Sequence, residues 1–253
     1  MQPSTVNGTG LGAQEWCDAL FLCYSLDTPD LPKYCDGCNT KFTICQALNC
    51  KRGGLVAARH NDLWNRVADL DGKDLISSHV RNDPLIFAGC AVQRPKAKST
   101  VNSGSTDQEG TLPPEATEQK EDLLIRGIWQ NSTDSVHDMR VMNTDAKTHF
   151  VKTPEKCLQE AERGKKRMYL EACFQQGKHL SPFVALVDGL LGVEATATLK
   201  RSASSLATKW RQPYYKTCGY INSRIAITLV LATHCCMRGS RVMAHWISKQ
   251  RPQ

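Results

Sequence analysis

No run in this chain is long and apolar enough to cross a bilayer; the best candidate, IAITLVLATHCCM, is too short and contains His234. The opening MQPSTVNGTGLGAQEW also lacks the basic start and apolar run of a secretion signal. Together these absences argue against a membrane protein and set the expectation of a soluble, intracellular one. They also change how the twelve cysteines are read. Without an oxidising compartment they are not a disulfide framework, so clustered thiols read as metal ligands and scattered ones as small buried residues. There is no internal repeat. A formal charge of +7 over 253 residues suits a polyanionic partner without requiring one. Hydrophobic content of 41% and charged content of 23% are those of an ordinary globular chain able to bury a core.

Composition divides the chain into segments. Residues 1–33 hold a short amphipathic piece, WCDALFLCYSL, closed by the prolines of DTPDLP, and read as a tail. Residues 34–54 are the Cys-rich segment. Residues 55–92 begin with a helix in which Val56, His60, Leu63, Trp64 and Val67 recur at helical spacing and Gly72 is a stop signal, followed by a strand candidate, PLIFAGCAV. Residues 93–121 are polar, rich in Pro, Gly, Ser and Thr, and read as a disordered insertion. Residues 122–245 hold two strand-like runs, DLLIRGIW and VHDMRVMN, around a turn-forming QNSTDS. A helix follows, with Thr153 as N-cap, Pro154 at its first position, and Leu158, Ala161, Lys165, Tyr169 and Ala172 on one face. The strand PFVALVDG and two more helices, EATATLKRSASSLATKW and NSRIAITLVLATHCCMRG, complete the chain. The expected class is α/β (α+β), a mixed sheet flanked by helices.

Three constellations carry chemistry. Cys35 and Cys38 form C-x-x-C, Cys50 follows within the spacing of structural zinc sites, and Gln46, a poor zinc ligand, stands where a histidine would fit best. Either neighbouring Cys45 completes an all-cysteine site or the knuckle is degraded. Asp138 and Arg140 lie two apart on a strand and therefore share a face, with Asp122 opening the preceding strand. Convergent carboxylates suit a hard divalent cation, although D-x-R is also common on solvated hairpins. Lys165, Lys166 and Arg167 fill one helical turn, which is either a solvated basic face or a phosphate-backbone contact. His60, with Asn61, is either a group supporting the metal ligands, a phosphate contact or an ordinary helix-surface residue.

These stretches, CDGC…ALNCKRGGLVAARHND, then DLLIRGIW…VHDMRVMNTDA, then CLQEAERGKKRMYLEACFQQGKHLSPFVALVDGLLGVEA, occur in an order that resembles a known arrangement. It is that of the carboxy-terminal region of reverse-transcriptase polyproteins from non-LTR retrotransposons. There a zinc knuckle precedes a restriction-enzyme-like endonuclease of the PD-(D/E)xK type. The resemblance implies a restriction-endonuclease-like core with a small Cys-rich knuckle, binding DNA and element RNA and nicking DNA so that the freed 3′ hydroxyl primes reverse transcription. It makes Cys35, Cys38 and Cys50 the knuckle thiols, with Gln46 in the place of histidine and Cys45 as its substitute for structural Zn²⁺. Asp122 matches the aspartate of the PD element, Glu121 replaces its proline, Asp138 matches the second acid, and Arg140 stands where the lysine would be. Asp62 in RHND matches an acidic helix position that completes the Mg²⁺ or Mn²⁺ site, and Lys166 and Tyr169 match a K-x-x-Y element. Arg59, His60, Lys165, Lys166 and Arg167 become the nucleic-acid contacts, and a working enzyme would act in the nucleus. No Y-x-D-D-type polymerase signature is present, so the chain is not itself a reverse transcriptase and the upstream polymerase domain is absent from it. The alternative within the resemblance is a catalytically inactive nucleic-acid-binding remnant.

Overall fold

A computed structural model describes residues 10–74, 80–82, 123–130, 132–144 and 152–242. The strand candidate PLIFAGCAV, the insertion 93–121 and Asp122 lie outside these residues. In chain order the elements are α1 (Ala13–Cys23), α2 (Ile44–Asn49), a 3-10 turn (Arg52–Gly54), α3 (Leu55–Asp74), β1 (Val80–Asn82), β2 (Leu123–Arg126), β3 (Asp134–Met142), α4 (Pro154–Gln175), β4 (His179–Leu186), α5 (Val193–Trp210) and α6 (Tyr214–Arg238). The sheet runs β1-β2-β3-β4. β1, β2 and β3 are antiparallel neighbours, while β4 lies parallel to β3. A parallel pair needs a crossover, and α4 provides it.

Alternation along the strands assigns the two faces. Leu123, Ile125, Met139, Phe183 and Ala185 point to one side and pack with Leu63, Val67 and Leu70 of α3, Leu199 and Leu206 of α5, and Ile221, Ile225 and Leu229 of α6. Leu124, Val136 and Leu180 point to the other and meet Ala172 and Cys173 near the end of α4. Met142, Val184 and Leu186 meet Cys157, Leu158 and Ala161 near its start. The chain is therefore a mixed α/β protein, a sheet between helices on both faces, with a Cys-rich cluster towards its N-terminal end.

Local signals explain most boundaries. Thr153 caps α4 by accepting from the Lys156 amide at 3.4 Å, and Pro154 occupies the first turn, where no intrahelical donor is lost. Gly72 does not stop α3, which continues to Asp74. One glycine weakens a helix by about 1 kcal/mol, less than the packing of Leu70 and its neighbours contributes. α6 starts eight residues before NSRIAITLV, immediately after Pro213, because the proline leaves the next turn free to wind. α1 is docked on α6. Buried Asp18 accepts from Arg238 Nε and Nη2 at 2.7 and 2.8 Å and pairs with His234 Nδ1 at 2.7 Å.

Candidate functional site

Asp138 stands on the α4 face of β3, between the two apolar patches that α4 covers, and is 6% exposed. A carboxylate there must be neutralised or paired. Lys165 does this: its ammonium forms an ion pair with Asp138 and lies 6.0 Å from the Tyr169 ring centroid. The basic turn of α4 thus meets the acid of β3, but through Lys165 rather than Lys166. Lys166 projects about 100° further round the helix and pairs with Glu194 at the start of α5. Glu162, one turn before Lys166, accepts from the Glu194 backbone amide at 3.1 Å, and its burial holds the carboxyl above the usual glutamate range. Gly192 precedes that contact because any side chain would collide with Glu162.

The remaining predicted residues are dispersed. Arg140 shares the parity of Asp138 but is exposed. Asp62 lies on the opposite side of the sheet, in a groove between α3 and α6 lined by Asn65, Arg66, Thr228 and Leu231. α3 docks with Leu63 and Val67 inward, so its Asp62 follows α6 and does not reach Asp138. Arg59 is 3% exposed, and burial lowers its pKa, so it is not a surface phosphate contact. His60 is half-buried, its Nδ1 3.4 Å from Asn61 Oδ1. Arg167 is exposed on α4. With Asp122 outside the described residues, Asp138 is the one predicted Mg²⁺ ligand at this point. A divalent cation needs several oxygens, so the described residues fit Mg²⁺ or Mn²⁺ only in part.

The Cys-rich segment converges more tightly. A short bridge between Tyr34 and Lys41 forms a turn carrying Cys35 and Cys38, and Cys50 closes α2. Cys35 Sγ is 3.8 Å from Cys50 Sγ, which is 3.7 Å from Cys38 Sγ. Tetrahedral bonds of about 2.3 Å from zinc to sulfur give an S···S edge of roughly 3.8 Å, so the thiols already have the spacing of a bound ion. Among the described residues this is the one group of three or more such side chains that could hold a metal. Hydrogen bonding with Thr40 brings the Cys38 thiol down to about 6, while burial pushes the Cys50 thiol up.

The fourth corner belongs to Gln46, whose Nε2 is 3.1 Å from Cys38 Sγ and whose buried Oε1 has no hydrogen-bond partner among the described residues. Cys45 turns away, its sulfur 3.7 Å from Asn49 Nδ2. Adjacent helical residues point about 100° apart, so α2 cannot aim both at the thiols. The cluster is anchored from the far end of the chain. Arg241 donates to the Ala47 and Cys236 carbonyls at 3.1 and 2.8 Å, and its amide donates to Asp36 at 2.8 Å. Gly37 and Gly53 are required beneath it; a Cβ at Gly53, where φ is +73°, would lie 2.3 Å from the Arg241 carbonyl oxygen.

Sequence reading missed the Lys165–Asp138 pairing, although its signal was present: a lysine on the buried stripe of α4 demands an acid opposite. No protein-family model matches this chain, and no curated protein matches it. No described helix is long and apolar enough to cross a membrane.

Proposed function

We propose that this chain is the DNA-nicking core of a retrotransposon-derived, restriction-endonuclease-like protein. One observation carries the reading. β3, the strand of D-x-R, lies between antiparallel β2 and parallel β4, and its buried Asp138 faces a lysine from the crossover helix. Asp138, joined by Asp122, would hold Mg²⁺ or Mn²⁺, which when bound supplies a Lewis acid and an activated water. Lys165 would release the carboxylate and turn to the scissile phosphate, stabilising the charge that develops on its oxygens. Arg140 would grip a phosphate oxygen; its guanidinium stays protonated and cannot act as base. Zinc on Cys35, Cys38 and Cys50 would be structural, and nicking of chromosomal DNA would take place in the nucleus.

One observation favours a second reading, a catalytically inactive nucleic-acid binder: Lys165 already neutralises Asp138, and among the described residues Asp138 belongs to no group of three His, Cys, Asp or Glu side chains that could hold a metal. Plasmid nicking in Mg²⁺ and Mn²⁺ separates the two. The endonuclease reading expects nicking by the wild type, its loss in Asp138→Asn with DNA binding retained, and equal or faster nicking by Arg140→Lys. Absence of nicking by both the wild type and Arg140→Lys, with DNA binding intact, selects the inactive binder.

A further inference from the structure

We infer that the corner between α5 and α6 is a groove for single-stranded nucleic acid, gripping bases by stacking and phosphates by charge. The sequence first shows the charge. After Glu194 there is no Asp or Glu to the end of the chain, whereas there are ten Lys and Arg. The first 194 residues carry 22 basic against 25 acidic residues, so the whole positive excess belongs to this last part. Two of its cations, Arg238 and Arg241, pair with Asp18 and Asp36. Lys209, whose ammonium donates to the Lys73 and Asp74 carbonyls at 2.6 and 2.8 Å, stands with Arg211, Lys216 and Arg224 around the corner that joins the helices.

The fold then places aromatic rings among those cations. α5 ends at Trp210, Arg211 takes the left-handed cap at φ +53°, and Pro213 starts α6. An arginine occupies a cap that suits glycine. Residues 208–216 are all exposed, and among them Trp210, Tyr214 and Tyr215 are 37%, 46% and 71% exposed. An open groove of about 930 Å³ runs past the corner, lined by Trp210, Gln212, Tyr215, Lys216, Tyr220 and Arg224, with no acid among the described residues that line it. Its floor is pre-ordered. Trp210 and Tyr220 meet edge-on with centroids 5.6 Å apart, and the Arg224 guanidinium lies 5.9 Å from the Tyr220 ring centroid.

Exposed rings are costly to keep in water unless a partner covers them, and every base offers a π-face to stack. Cations on the same rim would follow the phosphates. Paired duplex bases are already stacked and hide their faces, so the rings select single strands. This inference concerns binding alone and stands or falls without nicking.

Anisotropy of a fluorescent thymidine oligonucleotide of about 20 nucleotides, in Mg²⁺-free buffer, tests it with the whole chain. The wild type is expected to bind the oligonucleotide more tightly than the matching duplex. Tyr215→Ala, at a site too exposed to endanger folding, should weaken single-strand binding about tenfold, and Tyr215→Trp should restore it. Lys216→Gln should leave the preference for single strands intact while lowering the slope of log affinity against log salt by about one. No oligonucleotide binding, equal affinity for duplex, unchanged affinity in Tyr215→Ala, or capture of polyglutamate as tightly as the oligonucleotide would each overturn the assignment. Nicking without single-strand binding would leave the endonuclease reading intact and remove only this one.

Discussion

On the α4 face of the sheet, buried Asp138 forms an ion pair with half-buried Lys165, whereas on the α3/α5/α6 side Asp71 and His137 are buried with no counter-charge among the described residues. Asp71 accepts from the Ser202 hydroxyl at 2.6 Å, and burial raises its carboxyl to about 7. His137 has no hydrogen-bond partner for either ring nitrogen among the described residues, and burial, with a smaller contribution from His179, lowers it to about 3. The difference follows from the helices. α4 brings a lysine long enough to reach the sheet, while the opposing helices bring leucine, isoleucine and a serine. A buried charge is tolerated when a partner meets it and is otherwise suppressed by a shifted pKa.

The same kind of substitution should therefore act in opposite directions on the two sides. The largest effect is expected at Asp71. Its folded pKa lies above the unfolded value, so the stability it contributes is complete in acid and is lost as pH rises from about 4 to about 7. Asp71→Asn should leave urea stability unchanged near pH 4 and raise it by up to about 4 kcal/mol at pH 8. A flat difference across that range would show that Asp71 ionises freely.

At Asp138 the sign reverses. Asp138→Asn, which strands the half-buried Lys165, should cost about 2–3 kcal/mol at neutral pH, less than a fully buried pair because the lysine side chain remains 18% exposed. Adding Lys165→Met should recover much of that loss in a double-mutant cycle. If both single variants are neutral, the pair is a surface contact and the contrast between the faces disappears.

His137 predicts an acid limb. Its folded pKa lies below the unfolded one, so its stability contribution is present above about 6.5 and is lost as pH falls towards about 3. His137→Leu should flatten that limb by about one proton while leaving stability near pH 8 similar or higher, as followed by denaturation at a series of pH values.

Metal binding provides a test outside the sheet. The purified chain should hold about one equivalent of zinc. Cys38→Ser should remove it, Cys45→Ser should not, and Gln46→His should tighten it against a competing chelator by completing four good ligands. Loss of metal in Cys45→Ser would mean that α2 rotates on binding. The smallest effect is expected on α4's outer side: Arg167→Gln should weaken duplex DNA binding slightly at all sequences and lower its salt slope by about one.

Much of this was legible in the residues themselves. Thr153 and Pro154 marked the start of α4, and alternation through VHDMRVMN put Asp138 on the face of Val136 and Met142. The stripe Leu158, Ala161, Lys165, Tyr169 and Ala172 already named the lysine that would face the sheet, and the C-x-x-C with Cys50 named the converging thiols. Periodicity fixes these because it is a property of the backbone, repeated at every turn or pleat whatever surrounds it. Other assignments depended on docking. Lys166 went to Glu194, Cys45 yielded to Gln46, Asp62 followed α6 and Arg59 became buried. A helix offers several candidate side chains within one turn, each about 100° from the next, and a modest rotation on packing changes which one reaches its partner. That rotation is set by how apolar faces from distant segments fill one another's spaces, information that no local window of sequence contains.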